Sequence, residues 1–296
     1  MDNALNTTLL AWIESHVHER VVESTPLSGG WTSRMLALRD AAGRDWVLRS
    51  MQRDPWRRHG AALVTRERTV HQLLEATPVP APTSVAVDPN GDVTGDPTHL
   101  MSRLPGRLVF DRCDDESLDA LASTLATIHK ITTGERPREF QSWAGQDKWV
   151  VPEWANDPGV WHAAFDLLGE TLTYDGVFLH RDFHLGNVLW QNGQVSGVVD
   201  WVERSWGPAW LDVAHCRTNL AMLHGPEVAE RFAAAYENHA GPVDGSDRRH
   251  WDVMDIVGFL PDPTKVVQPW RDQGRDIADQ TARDRLERHL RRVLHG

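Results

Sequence analysis

Residues 177–201, VFLHRDFHLGNVLWQNGQVSGVVDW, restrict the fold more than any other stretch of this chain. Val188 to Trp190 and Val195 to Val199 are short apolar runs on either side of Gln191-Asn192-Gly193-Gln194. Asn-Gly tolerates positive φ at both central positions of a tight turn, so the pattern predicts a two-stranded hairpin. A third apolar run, Val177 to Leu179, precedes it. His180, Asp182 and Asn187 stand between the runs at H-x-D-x-x-x-x-N spacing, and Asp200 follows the last of them. The turn therefore predicts Asn187 and Asp200 side by side at the open end of one hairpin, with Asp182 on the loop that feeds it.

That set of groups meets the demands of phosphoryl transfer from a nucleotide. One carboxylate, Asp182, receives or orients the proton of an acceptor hydroxyl. The amide oxygen of Asn187 and the carboxylate of Asp200 hold Mg²⁺ against the phosphates. Each residue alone has a plainer reading. His180 would be a satisfied core histidine, Asp182 and Asn187 loop caps, and Asp200 a turn acid. Their joint spacing around a hairpin is what points to chemistry. A rival set is His180, Asp182 and His184, H-x-D-x-H, as the metal ligands of a hydrolase, since imidazole suits Zn²⁺ or Fe. It leaves Asn187 and the rest of the chain without a role.

At 296 residues the chain exceeds what one hydrophobic core usually serves, so two lobes are expected. Its 41% apolar and 25% charged residues are those of a soluble globular protein. Met1-Asp2-Asn3 is not basic, and Glu14 and Glu19 interrupt the first apolar stretch, so neither a signal peptide nor a membrane span is expected. Two cysteines, Cys113 and Cys216, are too few for a disulfide framework and fit a reducing cytoplasm. The net charge of −11 argues against nucleic acid as a partner. The charge is uneven: residues 1–104 carry 11 basic and 12 acidic side chains, and residues 105–296 carry 20 and 30. A near-neutral front half and an acidic back half suit an anionic nucleotide and a neutral or cationic acceptor, respectively.

Along the chain, residues 8–22 read as an amphipathic helix with Leu9, Leu10, Trp12, Ile13 and Val17 toward one face. A turn signal at Pro26 to Gly30 leads into strands at Arg34–Leu38 and Trp46–Arg49. Residues 62–76 follow as a helix, then strands at 84–87 and 98–103. After Pro105-Gly106 the pattern turns helical apart from the hairpin, with helices near 115–131, 158–172, 209–223, 226–240, 246–259 and 276–294.

The first half carries its own candidates. Ser28-Gly29-Gly30 lies between strands, where backbone amides of a Gly-rich turn can approach phosphates and hydroxyls add donors. Arg49 ends a strand where a nucleotide kinase needs a cation on the α- and β-phosphates, and Glu67 lies on the next helix, placed to pair with it. Without the downstream motif, Arg49 would read as an exposed strand arginine and Glu67 as part of a solvated helix face. The strand ending at Ser102, followed by Leu104 and the Pro105-Gly106 breaker, places backbone groups at a lobe junction that could meet an adenine edge.

With Arg49, Glu67, the junction, H-R-D-x-x-x-x-N and Asp200 in that order, the chain resembles the aminoglycoside phosphotransferase and choline kinase-like family. The resemblance covers nearly the whole chain, most specifically at the catalytic loop. It implies an α+β, two-lobed protein kinase-like fold, with a small β-rich nucleotide-binding lobe over 1–104. A larger, mainly helical lobe over 105–296 would carry catalysis and the acceptor. It implies transfer of the γ-phosphoryl group of ATP, with Mg²⁺, to a hydroxyl of an antibiotic or small metabolite. By position, Asp182 would be the base or orienting carboxylate, and Asn187 and Asp200 the Mg²⁺ ligands. Arg49, where the family often has lysine, would bind phosphate with Glu67 as its partner. The Ser102 carbonyl and the Leu104 amide would hold adenine, and Asp212 would be structural. A second outcome of the same fold is a weakly catalytic protein that sequesters its ligand.

Two departures stand out, arginine for lysine at position 49 and the residue at position 181. Arg181 replaces a glycine common in the family. Protein kinases use that arginine to hold an activation-loop phosphate, but the short span from Asp200 to Asp212 leaves no room for such a loop. For the acceptor, Glu203, Asp252 and Asp255 are the candidate carboxylates, with Asp252 and Asp255 expected on one helix face and Trp251 and Trp270 nearby.

Overall fold

The computed structural model describes residues 5–27, 33–170, 172–242 and 245–296. The chain divides into two compact units. The first is Met1–Pro105 together with Gly197–Val202; the second is Gly106–Ser196 together with Glu203–Gly296. Two contiguous lobes were expected, and the short segment around Asp200 instead groups with the front of the chain.

The first unit is a five-stranded antiparallel sheet with two helices. Helix α1 (Thr7–Val17) precedes strands β1 (Val21–Pro26), β2 (Arg34–Asp40) and β3 (Asp45–Ser50). Helix α2 (Gly60–Leu74) and strands β4 (Ser84–Asp88) and β5 (Thr98–Ser102) complete it, in the order β1-β2-β3-β5-β4. The first helix is shorter than its sequence pattern because His18 takes a left-handed conformation, φ 55°, and its N–H closes on the Glu14 carbonyl. The β-branched pair Val21-Val22 then begins a strand. Strand alternation sorts this sheet. Leu36, Leu48 and Leu100 are cross-strand neighbours and pack with Leu9, Trp12 and Ile13 of α1 in one cluster. One residue further along β3, Arg49 lies opposite Met35 and His99, on the other face of the pleat.

The second unit is mainly helical. It begins with β6 (Arg107–Leu108), α3 (Asp115–His129) and α4 (Pro158–Leu168). Next come β7 (Gly176–Leu179), β8 (Val188–Gln191), β9 (Gln194–Val198), which runs on into the first unit, and β10 (Ser205–Pro208). Helices α5 (Ala209–His224), α6 (Pro226–Ala240), α7 (Gly245–Gly258), α8 (Val267–Asp272) and α9 (Asp279–His295) follow. The hairpin turn forms as its residues demand: Asn192 has φ 52° and Gly193 φ 81°, both left-handed. Asp114 caps α3 by accepting the Ser117 N–H at 2.9 Å. Helix α4 stops at Leu168, with the Gly169 N–H closing on the carbonyls of Phe165 and Asp166.

Helix α5 is buried along almost its whole length and lies against α6, α7 and α9. Such a helix is usually apolar on every side. This one also buries Asp212, His215, Arg217, Thr218 and Asn219. Buried polar groups persist only with partners, and the partners of these residues assemble the site described next.

Candidate active site

In the first unit, alternation along β3 turns Arg49 toward α2. Its Nη1 donates to Glu67 Oε1 at 2.7 Å and to Asp200 Oδ1 at 3.0 Å. His99 Nδ1 lies 2.8 Å from the other oxygen, Glu67 Oε2. Arg49 and Glu67 are both buried. Burial works against the charge of Glu67, but Arg49 and the His99 hydrogen bond outweigh it and set the carboxyl at about 2. For Arg49 as well, burial opposes the charge and Asp200 and Glu67 prevail, so the guanidinium stays charged. The solvated helix face foreseen as the plain reading of Glu67 is thus replaced by a buried ion pair. Ser102 closes β5, with its hydroxyl accepting the Thr83 N–H at 2.8 Å, and Leu104 follows two residues on. Ser28, Gly29 and Gly30 lie outside the described residues.

In the second unit, the loop from His180 to Asn187 is held by α5. Asp212 Oδ2 accepts the His180 N–H at 2.8 Å and Oδ1 accepts the Arg181 N–H at 2.7 Å. Those bonds support Arg181 in a left-handed conformation, φ 75°, which a non-glycine residue adopts only when its surroundings hold it. Asp212 thereby has the structural part the resemblance implied. Two residues past His180, the Asp182 carboxylate is gripped at both oxygens. His215 Nε2 lies 3.0 Å from Oδ1, and Asn187 Nδ2 donates to Oδ2 at 3.1 Å. The same Asn187 nitrogen donates to the Asp182 carbonyl at 2.8 Å. An amide oxygen there would face two acceptors, which fixes the orientation of the group. Asp182 retains 32% side-chain exposure, so its carboxylate is fixed yet accessible. Burial raises its pKa, but the His215 hydrogen bond and the neighbouring imidazoles carry it well below the carboxylate range.

Sequence reasoning did not single out His215. Its Nδ1 lies 3.0 Å from Asp255 Oδ1, so one imidazole joins two carboxylates. Burial alone would neutralise it, but Asp255 and Asp182 push it up to about 9. A sequence signal existed: His215 follows Asp212 by three residues, hence on the same side of one helix. His99 was missed too, having no motif around it.

The acceptor carboxylates require correction. Asp252 is buried and spends its charge on Arg217, which also reaches Glu230 at 2.7 Å. Burial lifts the Asp252 carboxyl to about 6 despite that contact. Asp255 is buried against His215, with Arg181 Nη1 at 3.9 Å. Neither presents a free carboxylate to a ligand, because α7 turns that face into the core. Glu203 is partly exposed and pairs with Arg138 at 2.6 Å. Trp251 and Trp270 are core residues. Arg181 holds no surface phosphate: it is buried, with its guanidinium 3.7 Å from the ring centroid of Trp143.

The hydrolase ligand set does not assemble as read. His180 turns Nδ1 to the Asp182 N–H at 3.2 Å, and the cluster with metal-ligand spacing is Asp182, His184 and His215, within 4.8 Å. In that cluster both ring nitrogens of His215 are engaged by carboxylates, Nδ1 by Asp255 and Nε2 by Asp182, each at 3.0 Å. Mg²⁺ suits the other candidates better. The oxygen of the Asn187 amide and the carboxylate of Asp200, which keeps 31% side-chain exposure, are hard donors of the kind it takes.

The α+β architecture, a β-rich N-terminal unit and a helical C-terminal unit, is a protein kinase-like fold. The phosphotransferase enzyme family model matches residues 23–254, and the chain belongs to that family. No curated protein matches the chain in sequence. Among solved structures it is similar to a thermostable mutant of aminoglycoside phosphotransferase APH(4)-Ia in ternary complex with ADP and hygromycin B. That match has 17% identity over 98% of this chain and 100% of that one, with a TM-score of 0.66. The macrolide 2'-phosphotransferase MphH from Brachybacterium faecium matches at 18% identity over 93% and 96% of the two chains, TM-score 0.62. The amicoumacin kinase hAmiN, in complex with AMP-PNP, Ca²⁺ and Ami, matches at 13% identity over 96% and 92%, TM-score 0.58. Among the described residues no helix is long and apolar enough to cross a membrane.

Proposed function

We propose that this protein transfers the γ-phosphoryl group of ATP to a hydroxyl of a small molecule, an aminoglycoside-like antibiotic or a small metabolite, in the cytoplasm. The observation that carries the reading is the Asp182 carboxylate, held ionised, clamped by His215 and Asn187, and still accessible. Such a group orients an acceptor hydroxyl and receives its proton as the oxygen bonds to phosphorus and ADP departs. Arg49, kept charged between Glu67 and Asp200, is the cation for the α- and β-phosphates. Ser28, Gly29 and Gly30 would lie against the phosphates, and the Ser102 carbonyl and Leu104 amide against adenine. Asn187 and Asp200 would hold Mg²⁺, which neutralises charge on the phosphates. Rate enhancement then comes chiefly from positioning and electrostatics. The solved relatives bound to ADP with hygromycin B, or to AMP-PNP with Ami, support a nucleotide and a small acceptor. The acidic composition of residues 105–296 favours an acceptor that is neutral or cationic.

The test is release of ADP from Mg-ATP by the full chain over a panel of hydroxyl-bearing aminoglycosides, macrolides, amino alcohols and sugars. Acceptor-dependent ADP, with a phosphorylated product by mass spectrometry, supports the reading. Tight acceptor binding without ADP release would instead establish a sequestering protein.

A further inference from the structure

We infer that His215, braced by Asp255, is a positioning residue for phosphoryl transfer: it grips Oδ1 of Asp182 and fixes the plane of that carboxylate. The inference rests on Asp182 being the acceptor-facing carboxylate and extends that reading to two residues with no part in it. Asp255 Oδ1, the His215 ring and Asp182 Oδ1 form a continuous chain with 3.0 Å at each link. The ring cannot turn. Phe259 stacks beside it at 5.8 Å with an interplanar angle of 16°, and Trp143 meets it edge-on at 5.2 Å. Trp143 is itself covered by the Arg181 guanidinium. A fixed ring between two acceptors sets the direction of both hydrogen bonds.

The charged and polar neighbours of the ring come from several elements. From the catalytic loop come Asp182 and His184, the latter with its ring centroid 5.7 Å away. Its Nε2 lies 3.6 Å from Asp182 Oδ1, farther than the 3.0 Å of His215. From α7 comes Asp255, with Arg181 Nη1 at 3.9 Å as a weaker second cation. From α5 itself, the Asn219 amide lies 3.3 Å from Nε2 and is held by the His215 carbonyl at 2.9 Å. Lys148 also stands on this side, with its ammonium on the Gly258 carbonyl. The histidine hydrogen-bonded to the Asp182 carboxylate is therefore His215. A core histidine of purely structural value would need neither the exposed end of the chain at Asp182 nor the buried acid behind it.

Two measurements on the full chain test this. Histidine NMR follows the His215 imidazole, assigned by its loss in His215→Gln. In the unsubstituted protein it stays protonated up to about pH 9. Its midpoint falls by about one pH unit or more in Asp182→Asn, and likewise in Asp255→Asn. An ordinary midpoint near about 6.5, unmoved by either substitution, overturns the proposal without any appeal to turnover. The second measurement is hydrolysis of Mg-ATP, with water as the acceptor. His215→Gln and Asp255→Asn each lower kcat on the order of 10²-fold and leave the KM for ATP unchanged, and the double variant is no slower than either single one. A folded His215→Gln with the kcat of the unsubstituted protein overturns the proposal. Should Asp182→Ala hydrolyse Mg-ATP undiminished while the NMR coupling stands, the assignment of Asp182 has failed and the hydrogen-bonded chain has not.

Discussion

Arg49 and Asp200, 151 residues apart in the chain, meet at 3.0 Å within one compact unit. The residue proposed to bind phosphate is thus already bonded to the residue proposed to bind Mg²⁺. A guanidinium beside a carboxylate would offer phosphate oxygens and Mg²⁺ neighbouring places of opposite charge. Arginine in place of lysine suits this arrangement, since its fork serves Glu67 and Asp200 together from one side chain.

That geometry predicts coupling. Arg49→Ala and Glu67→Ala should each raise the KM for ATP, and the double variant should raise it by less than the product of the two. Strict multiplicativity in steady-state kinetics would show that the two side chains act on nucleotide independently.

Glu67 has a second consequence, for stability. Removing its charge leaves Arg49 buried with Asp200 as its remaining partner and strands the His99 hydrogen bond. Glu67→Ala should lose about 3–5 kcal/mol of unfolding free energy, read from urea denaturation. The folded carboxyl, at about 2, lies below its unfolded value, so this contribution is present above about pH 4.3 and fades as pH falls through 2. A variant as stable as the parent at pH 7 would remove the pair from the energetics of the fold.

Asp182→Ala should lower phosphoryl transfer by about 10²–10⁴-fold while ATP still binds. Calorimetry of ATP binding alongside turnover separates the two effects. Weakened ATP binding with normal turnover would reverse the assignment.

His215 carries the opposite pH signature to Glu67. Its folded pKa, about 9, exceeds the unfolded value, so its ion pairs stabilise the protein fully below about pH 6.5 and cease to do so as pH rises through 9. The difference in Tm between the parent and His215→Gln should be largest near pH 6 and shrink above pH 9. A constant difference across that range would mean that the histidine acts by packing alone.

Asp212→Asn keeps the shape of the side chain but replaces an acceptor oxygen with a donor facing a backbone N–H. It should destabilise the protein by about 1–3 kcal/mol and lower kcat as Arg181 leaves its left-handed conformation. Unchanged kcat in a folded Asp212→Asn would show that the loop holds itself.

Much of this was legible in the residues. Asn192-Gly193 specified a hairpin through local φ preference, and H-x-D-x-x-x-x-N flagged Asp182 and Asn187 through spacing within one loop. Periodicity located α2, α3 and α6, because a helix with a buried face must repeat apolar residues at its own turn. The pairing of Arg49 with Glu67 was anticipated from element order and realised because strand alternation points Arg49 at α2. These are properties of short range, where the covalent chain limits what neighbours can do.

Tertiary packing decided the rest. Asp252 and Asp255 share a helix face as their spacing required, but nothing local says whether that face meets water or α5. Buried against α5, they answer Arg217 and His215 and are lost to the acceptor. Arg181 had no role that its position in the sequence could assign, and packing made it a core cation over Trp143. The first unit recruited Gly197–Val202 from the far side of the hairpin, which no composition shift announces. Sequence determined which chemical groups this protein carries and in what local conformation. Only the fold decided which groups are desolvated together, because the cost of burying a charge depends on partners that arrive from distant parts of the chain.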